Sequence, residues 1–133
     1  LENALTVMDA VGGCKFMGIL LTAADIAGLI AAATGWDFDE AEFRRCGERI
    51  YNLNRVCCVR EGITSAQDKL PGRLMEEPLR SGPAAGMVID QDTLAMMKDA
   101  YYRVRGWDPA TGIPTPQKLH ELGLDFLQGE MEA

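Results

Sequence analysis

Apolar positions recur along this chain with a helical period, broken at a few glycines and prolines. Leu1, Leu5 and Met8 predict a first helix over residues 1–9, ended by Gly12-Gly13. A short apolar segment spans residues 14–21, and Thr22 is placed to cap a second helix through residue 33, closed by Gly35. Asp37 or Asp39 caps a third, long helix to about Arg60, which Gly62 stops. Its inner face is Phe43, Gly47, Ile50, Asn54 and Cys57, with Cys46 and Leu53 beside them. Its outer face carries Glu40, Glu42, Arg44, Arg45, Glu48 and Arg49 as a solvated, ion-paired surface.

Residues 63–89 show no sustained period and contain Pro71, Pro78 and Pro83 with several glycines, which predicts a long irregular connection that is functional or draped over a neighbour. A fourth helix starts at the acidic cap Asp90-Gln91-Asp92 and runs through Leu94, Met97, Tyr101 and Val104 to Gly106. Thr115-Pro116 opens a last short helix over residues 117–122, ended by Gly123. No stretch alternates with period two. The fold class is therefore all-α: an irregular multi-helix arrangement forming a single domain over residues 1–133.

Composition narrows the partners. With 13 Lys and Arg against 20 Asp and Glu, the net charge of −7 argues against nucleic acid or an anionic membrane surface. The apolar run over residues 16–33 is interrupted by Thr22, Asp25 and glycines, and so reads as buried helix with no transmembrane segment. The opening LENALTVMDA has neither a basic n-region nor a continuous apolar h-region, so no signal peptide is predicted. The missing initiator Met suggests a piece of a longer chain. Cys14, Cys46, Cys57 and Cys58 form no CxxC pair, which points to a reducing cytoplasm rather than a disulfide scaffold.

Most candidate chemistry has a plain structural account. His120 lies on a short helix without a partner nucleophile, and Cys46, Cys57 and Cys58 read as small hydrophobes on a helical face. The run Tyr101 to Asp108 reads as an amphipathic helix end with arginines laid over aromatic rings. The exception is DAVGGCKF, residues 9–16. Two glycines before Cys14 let backbone amides approach a bulky group, and Asp9 can accept hydrogen bonds from an amine-rich ring. Spacing by itself leaves a structural thiol and a ligand both open.

DAVGGCKF resembles the DxxGLC segment of the tungsten-containing aldehyde ferredoxin oxidoreductases, with Gly13 where that family usually has Leu. The similarity continues in order through Thr34-Gly35-Trp36-Asp37 and Gly47-Glu48-Arg49-Ile50. Next come Arg60-Glu61-Gly62 with Asp68-Lys69-Leu70-Pro71-Gly72-Arg73, and Tyr101-Tyr102 with Arg105-Gly106-Trp107-Asp108. Gly112-Ile113-Pro114-Thr115 and the LxxLGL ending of residues 119–124 complete it. Cys58 stands where the family often has Asn, and Gln67 where it has a second acid, so neither vicinal cysteine inherits a role.

The resemblance implies the helical C-terminal domain of a larger multidomain enzyme that oxidises aldehydes to carboxylic acids at a tungsten (or molybdenum) bis-pterin centre. Electrons would pass through a 4Fe-4S cluster to ferredoxin. It implies that Asp9, with Gly12 and Gly13, binds the pterin and that Cys14 is one cluster ligand. The other three cluster cysteines and a second pterin-binding acid belong to upstream domains, so the segment alone is expected to hold no cofactor and to be inactive. Where those domains would pack, residues 16–33 are expected to be partly exposed in the isolated segment and to promote self-association. The residues also allow a non-catalytic alternative: an acidic helical interaction or scaffold module in which Cys14 is a buried thiol.

Overall fold

Val7, Met8, Ile26, Ala27 and Phe43 meet as one apolar cluster, and Val56, Leu119, Leu122, Leu124 and Leu127 as a second. A single long helix contributes to both. In the computed structural model, which describes residues 1–131, the order is α1 (Glu2–Ala10), a 3-10 turn (Lys15–Ile19), α2 (Ala23–Thr34), α3 (Glu40–Arg60), α4 (Gly72–Glu76), α5 (Gln91–Arg105), α6 (Pro116–Glu121) and a second 3-10 turn (Asp125–Met131). Among the described residues there is no sheet, only an isolated antiparallel bridge between Trp107 and Pro114. The all-α reading holds.

Helix starts fall where capping chemistry puts them. The Asp25 amide donates to Thr22 Oγ1 at 3.2 Å while the Thr22 amide donates to Asp25 Oδ2 at 2.8 Å, a reciprocal box that satisfies otherwise orphaned donors. Of the two candidates for α3, Asp39 is the cap, accepting from the Glu42 amide at 2.8 Å. Asp90 and Thr115 cap α5 and α6 in the same way.

Three expectations are corrected. Residues 16–33 are not a buried helix: residues 15–19 form the 3-10 turn, Phe16 and Leu20 are 76% and 84% exposed, and in α2 only Ile26 and Ala27 are buried. The first cluster has room for one narrow face of α2. No described helix is long and apolar enough to cross a membrane. On α3, Asn54 and Cys57 are exposed, and Asn52, Arg55, Val56 and Val59 are buried in their place. The buried face rotates beyond residue 50 because the partner changes from α1 to Trp107, Gly112 and α6. Residues 63–89 are also not wholly irregular. They contain α4, and a backbone loop closed by the Leu79 amide on Met87 O at 3.1 Å and the Gly86 amide on Leu79 O at 2.8 Å.

The tightest approach in the fold is α1 on α3. A Cβ on Gly47 would lie 2.1 Å from the carbonyl oxygen of Asn3, so only glycine lets the two backbones meet. Gly28, in the middle of α2, has nothing within 4 Å of the point a Cβ would take, so a methyl there meets open space. Gly47→Ala should therefore lower unfolding free energy by about 1–3 kcal/mol, and Gly28→Ala should raise it by up to about 1 kcal/mol. Denaturant midpoints of the two variants check this; equal effects would refute the close approach.

Candidate functional site

The segment after α1 reverses by short-range hydrogen bonds. Val11, Gly12 and Gly13 amides donate to Val7 O, Asp9 O and Met8 O at 3.0, 3.1 and 2.8 Å. Gly12 has φ +70°, a left-handed conformation that penalises any side chain, and its missing Cβ faces open space. Gly13 differs, because a Cβ there would sit 2.8 Å from Met8 Cε and 3.3 Å from Met8 O. Met8, itself buried in the first cluster, occupies that space.

The turn carries three polar side chains, Asp9, Cys14 and Lys15. Cys14 is extended, exposed and free as a thiol. Asp9, in the last turn of α1, pairs with Lys15 Nζ at 3.1 Å, both side chains 57% exposed. Sequence reading assigned Lys15 no part. An ion pair this exposed contributes roughly 1 kcal/mol or less, so Asp9 can exchange it for another donor cheaply. Cys14 is exposed in this segment, not buried as the interaction-module alternative expects. These residues fit one thiolate ligand and one carboxylate acceptor for a bound group. Among the described residues no three His, Cys, Asp or Glu side chains gather as a metal site.

The run from Tyr101 to Asp108 builds a second constellation. Trp107 is buried, stacks on Tyr51 at 6.1 Å between centroids and donates from Nε1 to Asn52 Oδ1 at 2.8 Å. Asn52 is fully buried and completes itself by donating to Glu48 O at 2.9 Å. Arg105 lies over the Tyr51 ring at 4.2 Å, donates to Asn3 Oδ1 at 2.6 Å and pairs with Glu2. This last pair ties the end of α5 to the start of α1. Arg105 is laid over rings as the sequence suggested, whereas Arg103 points to solvent and pairs with Asp99.

Sequence reasoning missed Arg55 and Asp68. Arg55, buried, donates from Nε to Gly112 O at 2.8 Å and through Nη1 and Nη2 to the two Asp68 oxygens at 3.1 and 2.7 Å, a bidentate fork. Tyr102 OH donates to Asp68 as well. Burial pushes the Asp68 carboxyl up, but the hydrogen bonds from Arg55 and Tyr102 outweigh it and hold it below the usual range. Burial and the Asp68 partner push the Tyr102 phenol up to about 12. Asp68 carried a signal in the Asp68-Lys69-Leu70-Pro71-Gly72-Arg73 motif, whereas Arg55 lay off the expected inner face of the helix and carried none. Beside this group lies a cavity of about 470 Å³ lined by the four aromatic residues, Met97, Lys98, Asn54, Arg55, Asp68 and Cys58.

The remaining candidates stay simple. His120 is exposed, with Nδ1 2.8 Å from Asp125 Oδ1. Cys46 is half-buried against the first cluster, where burial raises its thiol pKa, and Cys57 is exposed.

Comparison with known proteins agrees with the sequence resemblance. A family model described as aldehyde ferredoxin oxidoreductase, domains 2 and 3, matches residues 1–124. Tungsten-containing aldehyde ferredoxin oxidoreductase of Pyrococcus abyssi is 38% identical over 125 residues, 93% of this chain and 20% of the relative. The Thermococcus kodakarensis protein of the same name is 39% identical over 128 residues, 95% of this chain and 20% of the relative. The chain thus spans about a fifth of the length of these curated relatives. Among solved structures, a chain of the active-site complex BamBC of benzoyl coenzyme A reductase with 1,5-dienoyl-CoA superposes with a TM-score of 0.68. It is 23% identical, over 83% of this chain and 15% of that one, a likeness of fold.

The Asp68 fork makes stability depend on pH. A carboxyl held low when folded contributes stability that is complete above its unfolded pKa of about 4 and is lost as pH falls through the folded value. Asp68→Asn should cost about 2 kcal/mol at pH 7, and its deficit against the parent should shrink on acidification. Urea unfolding of both proteins across the acid range tests this, and a deficit independent of pH would exclude an ionised Asp68 as the partner.

Proposed function

This chain belongs to the aldehyde ferredoxin oxidoreductase family, and we propose that it is a helical C-terminal domain of a cytoplasmic enzyme that oxidises an aldehyde to a carboxylic acid. The observation that carries the reading is the exposed turn after α1, which bears Cys14 as a free thiol five residues after an exposed Asp9.

When bound, a tungsten or molybdenum bis-pterin supplies the two-electron oxidation and a 4Fe-4S cluster passes the electrons singly to ferredoxin. The chain's own residues hold and space these groups. Cys14, as thiolate, is one cluster ligand, and its extended, exposed backbone presents the sulfur outward. Asp9 accepts hydrogen bonds from the pterin after releasing Lys15. Gly12 keeps the backbone bare at the turn. Gly13 lets the turn close on Met8, and through Met8 the site is tied to the apolar cluster under α1. A turn anchored this way keeps the two cofactor contacts at a constant separation. Upstream domains of the same chain supply the remaining ligands and the aldehyde pocket, and cover Phe16, Leu20 and Leu29.

Metal analysis of the anaerobically purified full-length protein tests the assignment. The parent should carry about four irons per chain with sulfide and tungsten, and Cys14→Ser should lose the iron. Asp9→Asn should keep the iron and lose pterin-bound metal. A Cys14→Ser protein with its iron intact would sink the reading.

A further inference from the structure

The cavity between the C-terminal halves of α3 and α5 has a composition that the cofactor turn does not use. Its volume of about 470 Å³ lies in the range of small-molecule pockets. Tyr51, Tyr101, Tyr102 and Trp107 line it with Met97; Tyr102 and Trp107 are themselves buried, so the accessible apolar surface is that of Tyr51, Tyr101 and Met97. Three charged groups line it: Arg55, Lys98 and Asp68. Arg55 and Asp68 are spent on each other, since the guanidinium fork fills both carboxylate oxygens and Tyr102 OH adds a third donor.

Lys98 is left over. Its ammonium donates to the carbonyl of Ser65, lies 6.0 Å from the Tyr102 ring centroid and acts through space on Asp68, without a direct ion pair among the described residues. An ammonium has three donors, so two remain for a ligand. Two cations against one carboxylate leave the cavity one net positive charge, within a chain of net charge −7. An apolar wall with one more cation than carboxylate at its edge matches a ligand that has an apolar body and a single negative charge. A dianionic phosphate would bring a second charge with nothing to meet it.

We propose that this cavity binds a small amphipathic carboxylate, its aromatic body against Tyr51, Tyr101 and Met97 and its carboxylate on Lys98 Nζ. The site lies on other elements than the Asp9 to Cys14 turn and stands independently of the cofactor assignment.

The two neighbouring cysteines give a local readout. Cys58 lines the cavity, whereas Cys57 is exposed outside it. In the full-length protein, alkylation of each by iodoacetamide is followed by fragment mass spectrometry with 3-phenylpropionate or its neutral amide present. The acid should slow Cys58 and leave Cys57 unchanged, and the amide should need about tenfold more ligand for the same protection, as expected for a hydrogen bond to a charged group. Lys98→Gln should erase the difference between acid and amide, and Lys98→Arg should keep it. Equal protection by acid and amide would reduce the cavity to an unspecific apolar groove and overturn the proposal. So would a Cys58 that is inert without ligand or unprotected by either compound, because another part of the chain then fills the space.

Discussion

The contact between α1 and α3 at Gly47 is the constraint on which the rest of the arrangement depends. With backbone set against backbone, Val7 and Met8 reach Phe43, and the first cluster closes. Met8 then occupies the space beside Gly13, so the turn carrying Asp9 and Cys14 is fixed to the core through one side chain. Arg105 adds a second tie by joining the end of α5 to Glu2 and Asn3 at the other end of α1. A turn exposed at its tip but anchored at its base suits a residue that must meet a group supplied from outside this chain.

Charge inside the fold is handled in pairs and not excluded. Arg55 and Arg105 are both buried, each set against a carboxylate and over aromatic rings, so neither guanidinium is left bare. The desolvation cost of each is offset by hydrogen bonds that also define direction: Arg55 joins α3 to the loop at Asp68 and to Gly112. The Arg55 fork, with Tyr102 on Asp68 and Lys98 on the Ser65 carbonyl, ties residues 65–68 to α3 and α5. Lys98 stands apart because the carboxylate nearest it in the cavity is already taken.

Much of this was legible in the sequence. Caps at Thr22, Asp90 and Thr115, the long third helix and the absence of strands follow from local chemistry that each residue carries with it. Cofactor contacts at Asp9 and Cys14 were suggested by an ordered set of motifs, and both residues are exposed. What could not be read was which side of α3 beyond residue 50 turns inward, because periodicity names a face only when one partner covers the whole helix. Phe16 and Leu20 read as core for a similar reason: apolarity says that a side chain prefers burial, not what buries it.

By itself, then, the sequence determined where helices begin and end, the all-α class and the family motifs, since caps, glycines and period act over three or four residues. Only the tertiary structure decided that Arg55 meets Asp68, that Gly47 admits Asn3, that Lys15 sits on Asp9 and that Lys98 faces an aromatic cavity. Those pairings join residues brought together by packing, and packing depends on the combined shape of several elements that no local pattern encodes.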